Sequence, residues 1–225
     1  MRKVLVVFLF LVFGYSINAQ SSFSTGILPR VRVSTKVTEK LKWVNGIESR
    51  QLFVDDIKDE SLDYEYVLTD ISSLLALKIG AHGAINWGYL LRIEGEEIIH
   101  RAIQQFTIVQ NYDLIRLGHR LVSDQTFSRN EAPEFRLRYR IAVEKPLSGS
   151  TIDPGEFYFK LSNEYLLKFQ DSESDLETRI LPFLGYEINK KNKIELGLDY
   201  RLDGLLKSGS ENDLWLSMNW FYTMK

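Results

Sequence analysis

Proton transfer near neutral pH would fall to His82, His100 and His119, the three histidines of the chain. A serine nucleophile needs one of them within hydrogen-bond reach and a third polar group to orient it. His119 and Ser123 are four residues apart, which on an extended chain gives one shared face but a separation of about 13 Å. His82 sits in Gly80-Ala81-His82-Gly83 and His100 near the start of a segment, neither with a serine at useful spacing. No catalytic residue is assigned, and an enzyme, a membrane lipid hydrolase included, is not expected. Two acidic clusters, Asp55-Asp56 with Asp59-Glu60 and Asp171 with Glu173, Asp175 and Glu177, bring oxygens together. Neither has the glycine-bearing spacing of a calcium loop, so both read as solvated acidic loops and no metal ligand is assigned. The chain has no cysteine, which excludes disulfides, a thiol nucleophile, cysteine metal sites and an acylated lipoprotein terminus. Nothing in the sequence calls for a cofactor.

One constellation stands apart. Arg136, Arg138 and Arg140 alternate with Phe135, Leu137, Tyr139 and Ile141, so a strand carries all three guanidiniums on one face. Mixed-sign pairs two residues apart recur elsewhere: Glu48 with Arg50, Arg92 with Glu94, Asp199 with Arg201, with Glu164 and Glu195 also available. Isolated charges are costly away from bulk water, and arginine's fork suits a laced interior. These charges are expected to form a salt-bridge network inside a narrow closed sheet; the alternative is a basic stripe passing anionic solutes through a narrow channel.

Strands must position these side chains, and period-two alternation runs through the whole chain. The segments are Ile27–Val37, Leu41–Leu52, Tyr64–Ile79, Asn86–Glu94, Ile99–Gln110, Leu114–Phe127, Phe135–Val143, Phe157–Leu167, Ile180–Ile188, Ile194–Leu202 and the last dozen residues. In that last stretch Leu214, Leu216, Met218, Trp220, Tyr222 and Met224 fall on one face, as in a closing strand whose outer side meets lipid. Trp43, Trp87, Tyr89, Tyr165, Tyr186, Tyr200, Trp220 and Tyr222 lie on apolar faces near segment ends, the pattern of interfacial girdles. The expectation is an all-β, antiparallel, up-and-down transmembrane barrel. Eleven segments conflict with the even strand number of bacterial single-chain barrels. Ten or twelve strands are therefore expected, with Tyr64–Ile79 splitting or a short strand hidden in Leu52–Asp63 or Lys145–Gly155. A soluble periplasmic β-sandwich serving as a binding module is the alternative from another class.

Arg2 and Lys3, the apolar run Val4 to Phe13 and the exit Ile17-Asn18-Ala19 read as a signal peptide over residues 1–19. Residues 20–225 then form a single domain in the outer membrane of a Gram-negative cell. Removing Arg2 and Lys3 from the 28 basic residues leaves 26 against 30 acidic, a formal charge of −4 with no case for nucleic acid. The expected partners are outer-membrane lipid and, during biogenesis, the barrel-insertion machinery.

The order of short motifs resembles the domain-of-unknown-function 2490 family of small outer-membrane barrels. It runs from Lys42-Trp43 with Glu48-Ser49-Arg50 and Asn86-Trp87-Gly88-Tyr89 to Arg101 with Gln104-Gln105. Leu117-Gly118-His119-Arg120-Leu121, Phe135-Arg136-Leu137-Arg138-Tyr139-Arg140, Asn163-Glu164 and Gly185-Tyr186 continue it. The departure is Asp124-Gln125-Thr126-Phe127, where the family pattern leads one to expect Glu before the Gln. The resemblance implies architecture and location; it implies no activity.

Overall fold

Alternating side chains give an extended chain two chemically different faces, and strands that share this property can join edge to edge only if the faces match. The computed structural model describes residues 21–55, 64–129, 131–207 and 209–224. The expected export segment at 1–19, and Asp56, Asp59 and Glu60 of the first acidic cluster, lie outside the described residues.

The strands are β1 (Ser21–Lys36), β2 (Leu41–Asp55), β3 (Glu65–Ile79), β4 (Gly83–Glu94), β5 (Glu97–Asn111) and β6 (Arg116–Phe127). β7 (Glu134–Pro146), β8 (Glu156–Gln170), β9 (Glu173–Asn189), β10 (Asn192–Asp203) and β11 (Ser210–Met224) follow. Each strand pairs antiparallel with the next, and β11 returns to β1, giving one closed barrel. No second sheet, which a sandwich requires, exists among the described residues.

The strand count corrects the expectation of ten or twelve: it is eleven. All eleven alternating segments form strands, and neither a split of Tyr64–Ile79 nor a strand in 147–155 is needed. Antiparallel neighbours reverse direction, so an odd number closes only through one parallel pair. That pair is β1 with β11, in register from Ser21 opposite Ser210 to Thr35 opposite Met224. β1 and β11 consequently begin at the same end of the barrel, here the first rim; the opposite end is the second rim.

Register across the seam aligns like with like. Ile27, Pro29, Val31 and Val33 lie beside Leu216, Met218, Trp220 and Tyr222 on the outside, and Leu28 and Arg30 beside Ser217 and Asn219 inside. Exposure alternates sharply along β11: Trp215 4%, Leu216 42%, Ser217 1%, Met218 41%, Asn219 4%, Trp220 46%. Pairing lapses in two places, between β1 and β2 around Leu28–Pro29 and between β9 and β10 opposite Pro182, where proline has no N–H to give.

Two glycines make room inside. A Cβ on Gly185 would lie 2.0 Å from the Tyr158 ring, and one on Gly197 would lie 2.5 Å from the Phe183 ring. Both rings therefore rest flat on the inner wall, and Tyr158 is fully buried. The β8–β9 hairpin turns through Asp171 and Ser172, both with positive φ (48° and 69°), as a two-residue primed turn needs.

The parallel seam is open to a direct test, because the chain carries no cysteine of its own. Ile27→Cys with Leu216→Cys is expected to form a disulfide on mild oxidation, seen as altered non-reducing gel migration. Ile27→Cys with Tyr222→Cys, about 20 Å apart by strand rise, is expected to stay reduced.

Candidate functional site

The inward positions of the strands form one continuous polar surface, and a cavity of about 550 Å³ runs into it from the first rim. Acidic side chains gather at its mouth (Glu94, Glu97, Glu131 and Glu134), while arginines dominate deeper down. The far half is filled: Tyr158, Phe183, Ser217, Asn219 and Glu195 are all buried.

Two carboxylates organise the arginines. Glu164 on β8 has no exposed surface, and its oxygens lie 2.6 Å from Arg140, 3.4 Å from Arg179, 3.7 Å from Arg120 and 3.9 Å from Arg138. Asp124 on β6 accepts from Arg136 Nε at 2.6 Å and Arg138 at 3.3 Å, with Arg101 at 3.6 Å. Around this centre smaller pairs continue the lacing. Arg30 donates to Glu48 at 2.6 Å, and Arg50 reaches the same carboxylate at 3.2 Å. Arg92 grips Asp70 with both arms of its fork at 2.8 and 3.0 Å and approaches Glu94 at 3.7 Å. Arg201 holds Asp199 in the same way at 3.0 and 2.9 Å. Glu195 accepts from the Tyr158 hydroxyl at 2.8 Å and from Lys160 at 3.0 Å. Lys168 bridges Asp203 and Glu177, and Glu177 also holds Arg179.

All eleven charges singled out from the sequence (Glu48, Arg50, Arg92, Glu94, Arg136, Arg138, Arg140, Glu164, Glu195, Asp199 and Arg201) thus belong to ion pairs or hydrogen bonds of the inner face. Asp70, Arg101, Arg120, Asp124, Lys168, Glu177 and Arg179 were missed. Asp124 was visible only as a departure from a family pattern; its inward period shared with Arg120 and Val122 was the available signal. The second acidic cluster is not a solvated loop throughout: Glu173 begins β9, and Asp175 and Glu177 are buried against the interior.

The histidines stay out of this site. His119 faces outward, its Nδ1 2.8 Å from the Tyr139 hydroxyl, and Ser123 lies further along the same outer face beside Gln125. His100 meets Tyr89 on the outer wall, and His82 lies in the exposed β4 approach. In the β1–β2 turn, outside the wall itself, the Lys36 ammonium 2.5 Å away holds the Glu39 carboxyl below its ordinary range.

A family model described as a protein of unknown function, DUF2490, matches residues 25–203. No curated protein and no solved structure matches the chain.

Removing the central carboxylate leaves its arginines facing one another. Glu164→Gln is expected to destabilise the barrel by roughly 3–5 kcal/mol, the cost of breaking a buried ion cluster from one side. The measurement is the urea midpoint of refolded protein, and Glu164→Gln with Arg140→Gln is expected to recover part of the loss.

Proposed function

We propose that this chain, which belongs to the DUF2490 family of proteins of unknown function, is an integral β-barrel of the outer membrane of a Gram-negative cell, with a structural or ligand-binding role and no enzymatic one. The observation that carries this reading is an inverted amphipathicity. Every charge network points inward, while the outer wall presents Ile71, Trp87, Leu137, Leu161, Leu196 and Leu216, each more than 40% exposed, on strand after strand. In water such a surface would far exceed the few hundred Å² of contiguous apolar patch that soluble monomers carry; in hydrocarbon it is what a barrel needs.

Three further features support it. Closure leaves no strand edge with unpaired backbone groups, the condition for a sheet in lipid. The shortest strands have 12 residues, above the roughly 9–11 that a tilted strand needs to cross. Outward aromatics gather toward both ends: Phe127, Phe135 and Phe169 toward the first rim, and Trp43, Phe157, Tyr186 and Trp220 toward the second. Odd-stranded membrane barrels are known, so the parallel seam does not weigh against it. No helix among the described residues is long and apolar enough to cross a membrane, which says nothing of strands.

Export by a cleaved leader at residues 1–19, outer-membrane lipid around the wall and barrel-insertion machinery as the assembly partner complete the proposal. A narrow anion-preferring channel is the second reading, favoured by the arginine-lined cavity and opposed by the packed far half of the lumen.

Unboiled protein from membrane fractions is expected to migrate faster on a detergent gel than boiled protein. Trp220→Asp, which would put a carboxylate on the outer wall at a cost of about 2–4 kcal/mol or less depending on depth, is expected to lose that fast-migrating form. A Trp220→Asp protein that folds and fractionates as the parent does would overturn the lipid-facing assignment of β11.

A further inference from the structure

We propose that the floor of the lumen cavity binds a multivalent oxyanion, the phosphate group of a small solute or of a lipid headgroup, through Arg32, Arg120, Arg138 and Arg140. The inference deepens the ligand-binding reading of the barrel and rests on it. Three observations converge on these residues, all of which line the cavity.

The first is a local excess of positive charge. Arg120, Arg138 and Arg140 share Glu164, which also serves Arg179. Asp124 is divided among Arg101, Arg136 and Arg138. Arg32 makes no ion pair among the described residues; it feels the charges of Arg30 and Arg140, offset in part by Glu48 and Glu195. Arg120 is likewise surrounded by Arg140, Arg32 and Arg138. Arg179 is also held by Glu177 and Arg136 by Glu134, but Arg120, Arg138 and Arg140 have only shares of Glu164 and Asp124 within ion-pair distance.

The second is unused donor capacity. Arg120 Nε and Arg138 Nε are buried and find no acceptor in the protein, although a guanidinium offers five N–H donors in a fixed fork. Planar forks that share their carboxylates and keep donors to spare match the oxygens of phosphate well.

The third is access. Arg120, Arg138 and Arg140 keep 21%, 20% and 18% of their side-chain surface exposed, facing a cavity of about 550 Å³ rather than packed protein. That volume is the size of a small-molecule site, but its lining is ionic where such sites are usually apolar. The acidic mouth formed by Glu94, Glu97, Glu131 and Glu134 gives the pocket polarity along its length. A ligand with an anionic end and a neutral or cationic remainder would suit both levels. Because Tyr158 and Phe183 fill the lumen beyond, this is a pocket with a floor rather than a passage.

The test uses full-length protein purified in detergent, with thermal unfolding followed in chloride and in inorganic phosphate at matched ionic strength. A parallel arm uses dihexanoyl phosphatidic acid, a short-chain lipid carrying the same group. Stabilisation by inorganic phosphate supports the site and assigns a free solute; stabilisation by the lipid alone supports it and assigns a headgroup. Calorimetric affinity is then expected to weaken about tenfold or more in Arg32→Gln and in Arg120→Gln, and to hold in Lys40→Gln in the exposed β1–β2 turn. Without ligand, Arg32→Gln is expected to be at least as stable as the parent, since it relieves repulsion. Absence of any phosphate-specific stabilisation in the parent protein would overturn the proposal even if no variant folds. Unchanged affinity in both arginine variants would overturn it too. Gel migration of the unboiled parent in the same samples reads the membrane-barrel proposal separately.

Discussion

A carboxylate that stays ionised away from water has to be surrounded by cations, and in this barrel Glu164 imposes that condition on four neighbouring strands of the wall. At 4 Å and an effective dielectric near 20, one ion pair is worth about 4 kcal/mol before desolvation is charged against it. Four guanidiniums from β6, β7 and β9 converge on this single side chain of β8. They can do so only if Arg120, Arg138, Arg140 and Arg179 occupy the inward phase of their strands. A slip of one residue would turn each of them outward and bring Leu121, Tyr139 and Ile180 inside. The ion cluster is thus a register device as much as a stabilising contact, and the apolar outer face follows from it by alternation.

Closure is the second constraint. With the inner charges phased, the sheet must still join β11 to β1, and the two strands meet parallel because their number is odd. Parallel pairing is slightly less favourable per residue than antiparallel pairing, and the seam compensates by length and by matching faces, with Ile27 beside Leu216 outside and Leu28 beside Ser217 inside. Space is then distributed unevenly. Glycines at 185 and 197 let aromatic rings fill the lumen toward the second rim, while the half toward the first rim, lined by residues of all the strands, keeps its cavity.

Most of the fold was legible in the sequence because period-two alternation is a local property. Every alternating segment became a strand, and the observed strands mainly extend them: β1 begins at Ser21 rather than Ile27, and β9 at Glu173 rather than Ile180. The strand number was also legible, yet a general parity rule overrode it; alternation says nothing about the direction in which two distant strands meet. Site residues divided along the same line. Arg136, Arg138 and Arg140 announce themselves as a stripe, whereas Asp124 and Arg179 matter only through neighbours that the closed sheet brings to them. Glu177 looked like part of an acidic loop because its cationic partner Lys168 sits across a hairpin. Partnership across strands depends on register, which no single segment contains.

The central claim is that the outer face meets lipid while the inner face is laced with charge. Its most direct measurement is a single-cysteine spin-label scan from Leu214 to Met224 in liposomes, recording collision with lipid-soluble oxygen and with a water-soluble nickel chelate. The lipid-facing wall requires a strict alternation, with oxygen collision high at 214, 216, 218, 220 and 222 and low at 215, 217 and 219. A flat profile, or nickel collision dominant at the even positions, would contradict it.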